Sequence, residues 1–343
     1  MKKNSPLNGV KPRVLKVPAY TLHAYDADIK MNQNENPFDF PEDLKEEAFR
    51  RFRKRQWSRY PDFVPESLKR RLGEFLGWHK DGVLVGNGSN ELLQASLMVL
   101  IKSRTKVAIP FPTFSVYRLI ANVLGATIVD IPLNPDMSYN VDALISGCRE
   151  SGAGVLIINN PNNPTGSAIR EGGFLADYPR LIITRTFSKA MGMAGLRLGY
   201  LMAHPDLAAQ ISKAKLPYNV NQFSLTVAEV ALENLDRFRP AIETVLREKV
   251  RLGGELAKLP GLKVYPSESN FFLVEVPLAP RAVFDYLFAQ GILIRDVSSY
   301  PTLSKCLRIS VGTPEENDRL LSALRACMEN PSVSGTASAR ESK

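Results

Sequence analysis

One lysine lies in a segment that could both activate its amine and hold an anion beside it. The apolar run 181–184 predicts a buried strand, and Lys189 follows five residues after the end of that run. Loss of hydration at such a position favours the neutral amine, which can attack a carbonyl and form a Schiff base. Ser188, directly before the lysine, and Arg197, eight residues after it, could hold a phosphate. Close approach of the backbone is indicated by three glycines: Gly192, Gly195 and Gly199.

Two further segments could complete a ligand site at the edge of a sheet. Residues 155–159 predict a core strand, and the turn after it, Asn-Pro-Asn-Asn-Pro-Thr-Gly at 160–166, would place rigid amides at the carboxyl end of that strand, where open α/β sheets bind ligands. Residues 83–86 predict a strand that passes through Asn87-Gly88-Ser89 into a helix from Leu92, and the N–H groups of a helix N-terminus can hold a phosphate. A lysine, a phosphate clamp and a parallel-sheet edge are together what pyridoxal phosphate (PLP) requires.

The elements that position these residues alternate between strand and helix. Predicted strands at 83–86, 106–110, 127–132, 155–159 and 181–184 are separated by helices, which indicates an α/β fold with a mainly parallel sheet sandwiched by helices. The predicted helices of this part are 42–55, 65–77, one beginning at Leu92, 114–124 and 142–150. A long helical stretch, 222–258, contains Pro240 as a predicted break.

The C-terminal part predicts a smaller α+β domain. Its predicted strands lie near 262–265, 270–276, 292–296 and 307–311, and its helices near 281–290 and 315–328. We therefore predict an N-terminal arm (1–30), a large domain (31–250), a small C-terminal domain (251–329) and a disordered tail (330–343).

Composition narrows the class of protein. No apolar run is long enough to cross a membrane, and the N-terminus lacks the apolar stretch of a secretory signal. Three cysteines without a pairing framework favour the cytoplasm, and three widely spaced histidines predict no metal site. The net charge of +9 is compatible with nucleic-acid binding, but the basic clusters near 50–55 and 69–71 lie in amphipathic helical patterns and are better explained as solvated faces; part of the excess would attract anionic ligands.

A series of motifs in a fixed order resembles the fold type I PLP-dependent aminotransferases. The motifs are Asn-Glu-Asn-Pro-Phe at 34–38, Arg-Tyr-Pro-Asp at 59–62, Gly-Asn-Gly-Ser-Asn-Glu-Leu at 86–92, Pro-Thr-Phe at 112–114, Pro-Asn-Asn-Pro-Thr-Gly at 161–166, the lysine segment, and Ser-Asn-Phe at 269–271. Two others, Leu-Pro-Tyr-Asn-Val-Asn at 216–221 and Cys-Leu-Arg-Ile-Ser-Val-Gly-Thr at 306–313, resemble the histidinol-phosphate aminotransferases within that family. The resemblance covers most of residues 17–328.

The resemblance implies a role for each matching residue. Lys189 would carry PLP and then act as the general acid and base of the proton shift. Ser89 and Asn90, with Ser188 and Arg197, would bind the cofactor phosphate. Phe114 would stack on the pyridine ring, and Asn163 would bind the ring hydroxyl oxygen. Tyr60 would reach the cofactor of the other subunit of a homodimer. Arg295 and Arg308 would hold the anionic end of the substrate. Tyr20 and Asn36 would line the substrate pocket.

One family motif is missing from the chain. In the family a helix and a strand that ends in Asp-Glu-Ala-Tyr lie between the Asn-Pro-Thr-Gly turn and the lysine strand, and the aspartate pairs with the pyridine nitrogen. Here only thirteen residues, 167–179, separate Gly166 from Arg180, and none of them forms this motif. We place the missing helix–strand segment near 167–172 and expect a gap in the sheet with unpaired ladder groups. Either the encoded chain is longer at this point, or a natural deletion has removed activity.

The leading hypothesis is a cytoplasmic homodimeric enzyme that moves an amino group between L-histidinol phosphate and 2-oxoglutarate, giving imidazole acetol phosphate and glutamate, without nucleic-acid or membrane partners. Threonine-phosphate decarboxylase and an aromatic aminotransferase remain alternatives within the same fold. From another class, the missing segment leaves open a non-catalytic protein with the same fold.

Overall fold

The computed structural model describes residues 5–18, 25–169, 175 and 177–330. The first elements in chain order are α1 (Pro12–Leu15), β1 (Ile29–Lys30), α2 (Glu42–Arg53), α3 (Glu66–Leu76), β2 (Val83–Gly86) and α4 (Ser89–Leu100). Strands and helices then alternate: β3 (Lys106–Phe111), α5 (Ser115–Leu124), β4 (Thr127–Pro132), α6 (Val141–Ser151), β5 (Val155–Leu156), β6 (Ile182–Thr186), β7 (Gly199–Ala203) and α7 (Pro205–Ser212).

The C-terminal part has two helices and then a smaller sheet with its own helices: α8 (Gln222–Glu233), α9 (Arg239–Leu256), β8 (Lys263–Val264), β9 (Phe271–Glu275), α10 (Pro280–Ala289), β10 (Ile292–Leu293), β11 (Arg295–Asp296), β12 (Cys306–Ser310) and α11 (Pro314–Glu329). None of the described helices is both long and apolar enough to cross a membrane.

Local sequence explains where several helices begin and end. Thr313 and Glu316 form a reciprocal capping box at the start of α11, and Asn140 caps α6, which ends at the left-handed Gly152. The predicted break at Pro240 is present, because α8 and α9 are separate helices. Pro240 lies in the first turn of α9, where its missing N–H breaks no hydrogen bond.

The predicted mainly parallel sheet is divided into two three-stranded sheets. One has the order β4-β3-β5 and is parallel, and the other has the order β2-β7-β6 with β7 antiparallel to both neighbours. No backbone hydrogen bond between described residues joins β5 to β6. The gap expected from the missing strand therefore lies between β5 and the strand that leads to Lys189.

The strand β5 is shorter than the sequence predicts. The apolar run 155–159 predicted five residues of strand, but only Val155–Leu156 pair as a strand, with Val107 and Ala108 of β3. Past this pair, the Ile157 N–H still donates to the Ala108 carbonyl over 3.0 Å. A core strand forms backbone hydrogen bonds with a neighbouring strand on each side, and β5 has no described partner strand on one of its sides.

Helix α4 packs on both sheets and holds the two halves together. Leu92 and Ala95 lie in a cluster with Leu84 of β2 and Leu201 of β7, which Ile182 of β6 also contacts. Leu97, further along α4, lies in a second cluster with residues of the other sheet: Val107, Ile109 and Ile157. One face of the break is therefore covered by α4.

The C-terminal sheet is antiparallel, with the order β11-β12-β9-β8, and its core contains side chains from α9, α10 and α11. The end of the predicted arm joins this unit, because β1 pairs in parallel with β10 and both Ile29 and Met31 are buried in its core. This pairing carries the chain from the small sheet directly into the Asn-Glu-Asn-Pro-Phe motif at 34–38.

Candidate active site

Lys189 lies three residues after β6, in a loop that packs against the segment after β1. Its amine donates to the Gln33 carbonyl over 2.7 Å, and the Asn36 side-chain amide donates to the Ala190 carbonyl over 3.1 Å. Gly192 has a φ of +62°, and a Cβ at that position would lie 3.2 Å from the Phe38 carbonyl oxygen. The loop therefore needs glycine for its close contact with the segment that holds the lysine amine.

The surroundings of Lys189 make its amine easier to deprotonate. Desolvation is the main cause, and the positive charge of Arg308 adds to it, so that the pKa of Lys189 falls to about 8, although Glu35 acts in the opposite direction. A lysine with this pKa is substantially neutral just above neutral pH. It can therefore act as a nucleophile and as a proton carrier.

A cradle for an anion forms where α4 begins beside Arg197. The helix starts at Ser89 after Gly88, which has a φ of +79°, and a Cβ on Gly88 would lie 2.9 Å from Nη2 of Arg197. A Cβ on Gly199 would lie only 2.5 Å from the Ser89 nitrogen. The unpaired N–H groups and positive dipole of a helix N-terminus attract a phosphate, and Asn90 is the next residue of the same turn.

Ser188 is a buried part of the loop that leads to this cradle. The Thr186 hydroxyl donates to Oγ of Ser188 over 2.9 Å and accepts from the Ser188 N–H over 3.1 Å. Because Oγ of Ser188 is an acceptor in the first bond, its own proton can be directed at an anion. Thr186 belongs to the lysine segment, but the sequence indicates no role for it, and its role follows from these two hydrogen bonds.

Asn163 lies in a turn that a buried network fixes. Asn162, next to it, is fully buried, accepts from the Thr113 hydroxyl over 2.6 Å and donates to the Pro112 carbonyl over 2.9 Å. These bonds tie the Asn163 turn to the segment that carries Phe114. Thr113 and Asn162 thus position two predicted ring-contacting residues together.

Phe114 is the residue before α5, and its ring packs edge-to-face on Tyr117 with 5.5 Å between centroids. The Tyr117 hydroxyl donates to the Asn159 side chain over 2.9 Å, and burial raises the pKa of Tyr117, so that the group stays neutral. Phe114 itself is only partly buried and can offer a ring face to a ligand.

Two arginines lie directly opposite each other on the small sheet. Arg295 of β11 is the register partner of Arg308 of β12, so that their side chains share one face of the sheet. The Arg308 guanidinium donates to the Asn163 side chain and to the Asn32 carbonyl, each over 2.5 Å. Two like charges directly opposite are unfavourable, and an anion bound between them would remove that cost.

The last three predicted site residues are Asn36, Tyr60 and Tyr20. Asn36 is in the loop contact with Ala190 described above. Tyr60 is 79% exposed and stacks on Tyr218 with 4.5 Å between ring centroids. Tyr20 lies outside the described residues.

The residues present fit part of a PLP molecule. The helix N-terminus, Ser188 and Arg197 suit its phosphate, and the neutral amine of Lys189 suits its aldehyde. The ring nitrogen has no matching carboxylate in the loops that follow β5 and β6, because the described segments 157–169 and 187–198 contain no Asp or Glu. Asp177 is exposed. Among the residues that the structure describes, no cluster of His, Cys, Asp and Glu could hold a metal ion.

Comparison with known proteins gives one family. The family model for aminotransferase class I and II matches residues 26–174 and 171–324. The histidinol-phosphate aminotransferase of Chlorobaculum parvum is 37% identical, with 93% of this chain and 98% of that protein covered. The enzyme of the same name from Chlorobaculum tepidum is 36% identical over 88% of this chain and 94% of that protein.

Solved structures show the same fold. Histidinol-phosphate aminotransferase from Sinorhizobium meliloti, solved with PLP, superposes with a TM-score of 0.84 at 24% identity and covers 94% of this chain and 98% of that one. L-threonine-O-3-phosphate decarboxylase from Porphyromonas gingivalis has a TM-score of 0.77 at 22% identity and covers 88% and 100%. The predicted fold class is confirmed by these neighbours.

The comparisons also locate a discontinuity in this chain. The two matches to the family model meet at residues 171–174. The alignment with the C. parvum protein runs over 349 positions but includes 93% of 343 residues, about 319, so that about 30 positions of the relative face no residue here. The break in the family match falls between β5 and β6, the two strands that share no ladder among the described residues.

Proposed function

Because the chain belongs to the class I and II aminotransferases, we propose that it uses PLP to transfer an amino group between L-histidinol phosphate and 2-oxoglutarate, giving imidazole acetol phosphate and glutamate, in histidine biosynthesis. The substrate assignment is supported by curated relatives that carry the histidinol-phosphate aminotransferase name over most of the chain. The observation that carries the chemistry is Lys189, a lysine with a lowered pKa beside an anion cradle.

When bound, PLP supplies an electron sink for the carbon next to the substrate nitrogen. The protein would hold its phosphate through the first turn of α4, Ser188 and Arg197. Lys189 would move a proton through Nζ, and the Gln33 carbonyl, which accepts from this amine, would orient it. Phe114 and Asn163 would fix the ring plane, because Thr113 and Asn162 tie their two segments together.

Both substrates of this reaction carry an anion away from the reacting carbon. Histidinol phosphate has a phosphate, and 2-oxoglutarate has a distal carboxylate. Arg295 and Arg308, opposite each other on the small sheet, would bind either group, because guanidinium forks suit both geometries. The net charge of +9 would raise the local concentration of both substrates.

We infer a cytoplasmic homodimer in which each site uses residues of both chains. The exposed aromatic group formed by Tyr60, Phe63 and Tyr218 is apolar surface that a second copy could cover. Tyr60 would then reach the cofactor phosphate of the partner subunit. The three cysteines, all free thiols, are compatible with a reducing compartment.

An amino-transfer assay read by mass spectrometry tests the proposal. Histidinol phosphate, threonine phosphate, phenylalanine and tyrosine would each be offered with 2-oxoglutarate and PLP. Formation of glutamate with histidinol phosphate at the highest kcat/KM supports the assignment. Preference for the aromatic amino acids overturns the substrate claim and leaves the reaction class in place.

A second candidate is decarboxylation of threonine phosphate, which the structural likeness to the P. gingivalis enzyme favours. This reaction needs the same amine and phosphate sites but no keto acid. Release of carbon dioxide from threonine phosphate in the absence of 2-oxoglutarate would establish it.

A third candidate, a protein that keeps the fold and binds PLP without turnover, is favoured by the break between β5 and β6. Sequencing of the encoding DNA across codons 165–180 discriminates this case. A longer reading frame would remove the third candidate.

A further inference from the structure

The gap between β5 and β6 is a slot with two strand edges, one floor and one open face. Each strand has a partner on one side only among the described strands, β3 for β5 and β7 for β6. The carboxyl ends of both strands lead into the same site, β5 to Asn163 and β6 to Lys189, so the two edges run in the same direction. Helix α4 is the floor, through Leu97 and Ile157 on one side and Ile182 on the other.

The open face exposes apolar side chains that a core strand normally buries. Leu156 is the register partner of Ala108, which α6 covers completely, yet Leu156 is 40% exposed. Ile158, on the same face of the strand, is 41% exposed. The helical cover therefore stops between β3 and β5, although the apolar surface continues.

Two further exposed apolar residues lie on α6, the helix that covers Ala108. Val141 and Ile145 lie one turn apart on α6 and are both exposed. On β6, the exposed Arg185 pairs in register with Tyr200, which packs on the side away from α4, so that Arg185 adds a positive charge to the open face. The open face thus has an apolar part with a cation at its border.

The length of polypeptide that would pair with β5 and β6 and cover the exposed face follows from the comparison with the relatives. About 30 positions of the C. parvum protein face no residue here, and the family match breaks at residues 171–174, between β5 and β6. A helix and a strand with their connections make up about 30 residues in a parallel βαβ unit. One strand could pair with both parallel edges, and one helix could cover the exposed face.

We propose that this slot binds a separate helix–strand polypeptide of about 30 residues, with its strand between β5 and β6 and its helix on Leu156 and Ile158. The strand is apolar on both faces, because it lies between a floor helix and a cover helix. The helix is amphipathic and places an acidic residue near Arg185. Unpaired strand edges bind extended chains readily, so the slot is a binding surface even when the site above it is empty. This inference does not depend on the proposed function.

The probe is a synthetic peptide with the sequence of the C. parvum residues that face the gap, labelled with a fluorophore. Titration of the purified chain should give saturable binding with one peptide per chain, read by fluorescence anisotropy. Hydrogen exchange should slow at 155–158 and 182–186 and remain unchanged at β8 and β9. Insertion of the same residues between Ile169 and Leu175 should abolish binding of the free peptide, because the slot is then filled.

Leu156→Glu puts a charge on the apolar face and should weaken peptide binding at least tenfold. Leu246→Glu is the matched control, because Leu246 is an exposed apolar residue of α9 and should leave binding unchanged. Absence of binding, protection at other segments, or binding that Leu156→Glu does not weaken would each overturn the proposal. None of these readouts uses turnover, so a failed amino-transfer assay leaves the outcome unaffected.

Discussion

At the scale of single residues, the candidate chemistry depends on backbone groups as much as on motif side chains. The Gln33 carbonyl accepts a hydrogen bond from the Lys189 amine, and the Asn32 carbonyl accepts one from the Arg308 guanidinium. Sequence motifs identify the lysine and the arginine because their side chains carry the chemistry. They do not identify the carbonyls, because every residue has one and only the fold decides where it points.

The lowered pKa of Lys189 predicts a pH dependence. The amine is protonated below its pKa and neutral above it, so the rate of covalent PLP uptake by the cofactor-free protein should rise with pH, with a midpoint near 8. Stopped-flow absorbance from pH 6.5 to 10 measures it, with Lys189→Ala as the control that shows no such uptake. A midpoint at the ordinary lysine value of about 10.4 would contradict the electrostatic account.

Arg295→Gln should raise the KM for the phosphorylated substrate and change kcat little. A charge-assisted bond contributes about 1.5–3 kcal/mol, which corresponds to a roughly 10- to 150-fold higher KM. Arg281→Gln, a change of an exposed arginine paired with Asp285 on α10, is the control and should behave like the wild type. An unchanged KM for Arg295→Gln would show that the anion binds elsewhere.

At the scale of elements, the loop from β1 to α2 connects the small sheet to Lys189. Asn34, in this loop, is buried and has a φ of +56°; its side chain accepts from the Ser310 hydroxyl, and its carbonyl accepts from the Asn270 side chain. The strained backbone places the Gln33 carbonyl at the lysine amine.

Replacement of Asn34 separates backbone strain from side-chain bonding. Asn34→Gly and Asn34→Ala both lose the side-chain bond from the Ser310 hydroxyl, but only Ala is strained in the left-handed conformation, so Ala should be the less stable variant by about 1–2 kcal/mol. Urea denaturation of both variants measures the difference in the free energy of unfolding. Equal stability of the two would show that the conformation at this position is not strained.

The sequence predicts most elements because their patterns are local. The strands at 83–86 and 127–132 have the predicted bounds, and α5, α6, α10 and α11 differ by one residue at their ends. Helix α4 begins at Ser89 rather than Leu92, because its polar first turn lacks the apolar periodicity that marked the rest. The run 155–159 failed as a five-residue strand because strand length depends on a neighbour that is distant in sequence.

The register that pairs Arg295 with Arg308 could not be predicted from the sequence either. The sequence shows two arginines thirteen residues apart, and only the pairing of β11 with β12 places them opposite each other. Such a non-local relation depends on how two strands align, which no single segment encodes.

At the scale of the whole molecule, the proposed shared site predicts complementation between inactive subunits. Light scattering should report twice the chain mass of 38.1 kDa. Lys189→Ala and Tyr60→Ala each damage both sites of their own homodimer, but a mixed dimer has one site with both native residues. A refolded equal mixture should therefore recover about a quarter of wild-type activity, and no recovery would contradict a site shared between subunits.

The identity of the lysine that carries the cofactor is the most direct test of the proposed role of Lys189. The purified protein would be loaded with PLP, reduced with borohydride, digested and analysed by peptide mass spectrometry. If Lys189 binds PLP covalently, the cofactor mass should appear on Lys189 alone and should be lost in Lys189→Ala, with weaker non-covalent binding retained through Ser89, Ser188 and Arg197. Lys215 is the natural competitor, because burial lowers its pKa as well and its amine donates to the Val85 carbonyl. The cofactor on Lys215 or Lys213 instead of Lys189 would contradict the role proposed for Lys189.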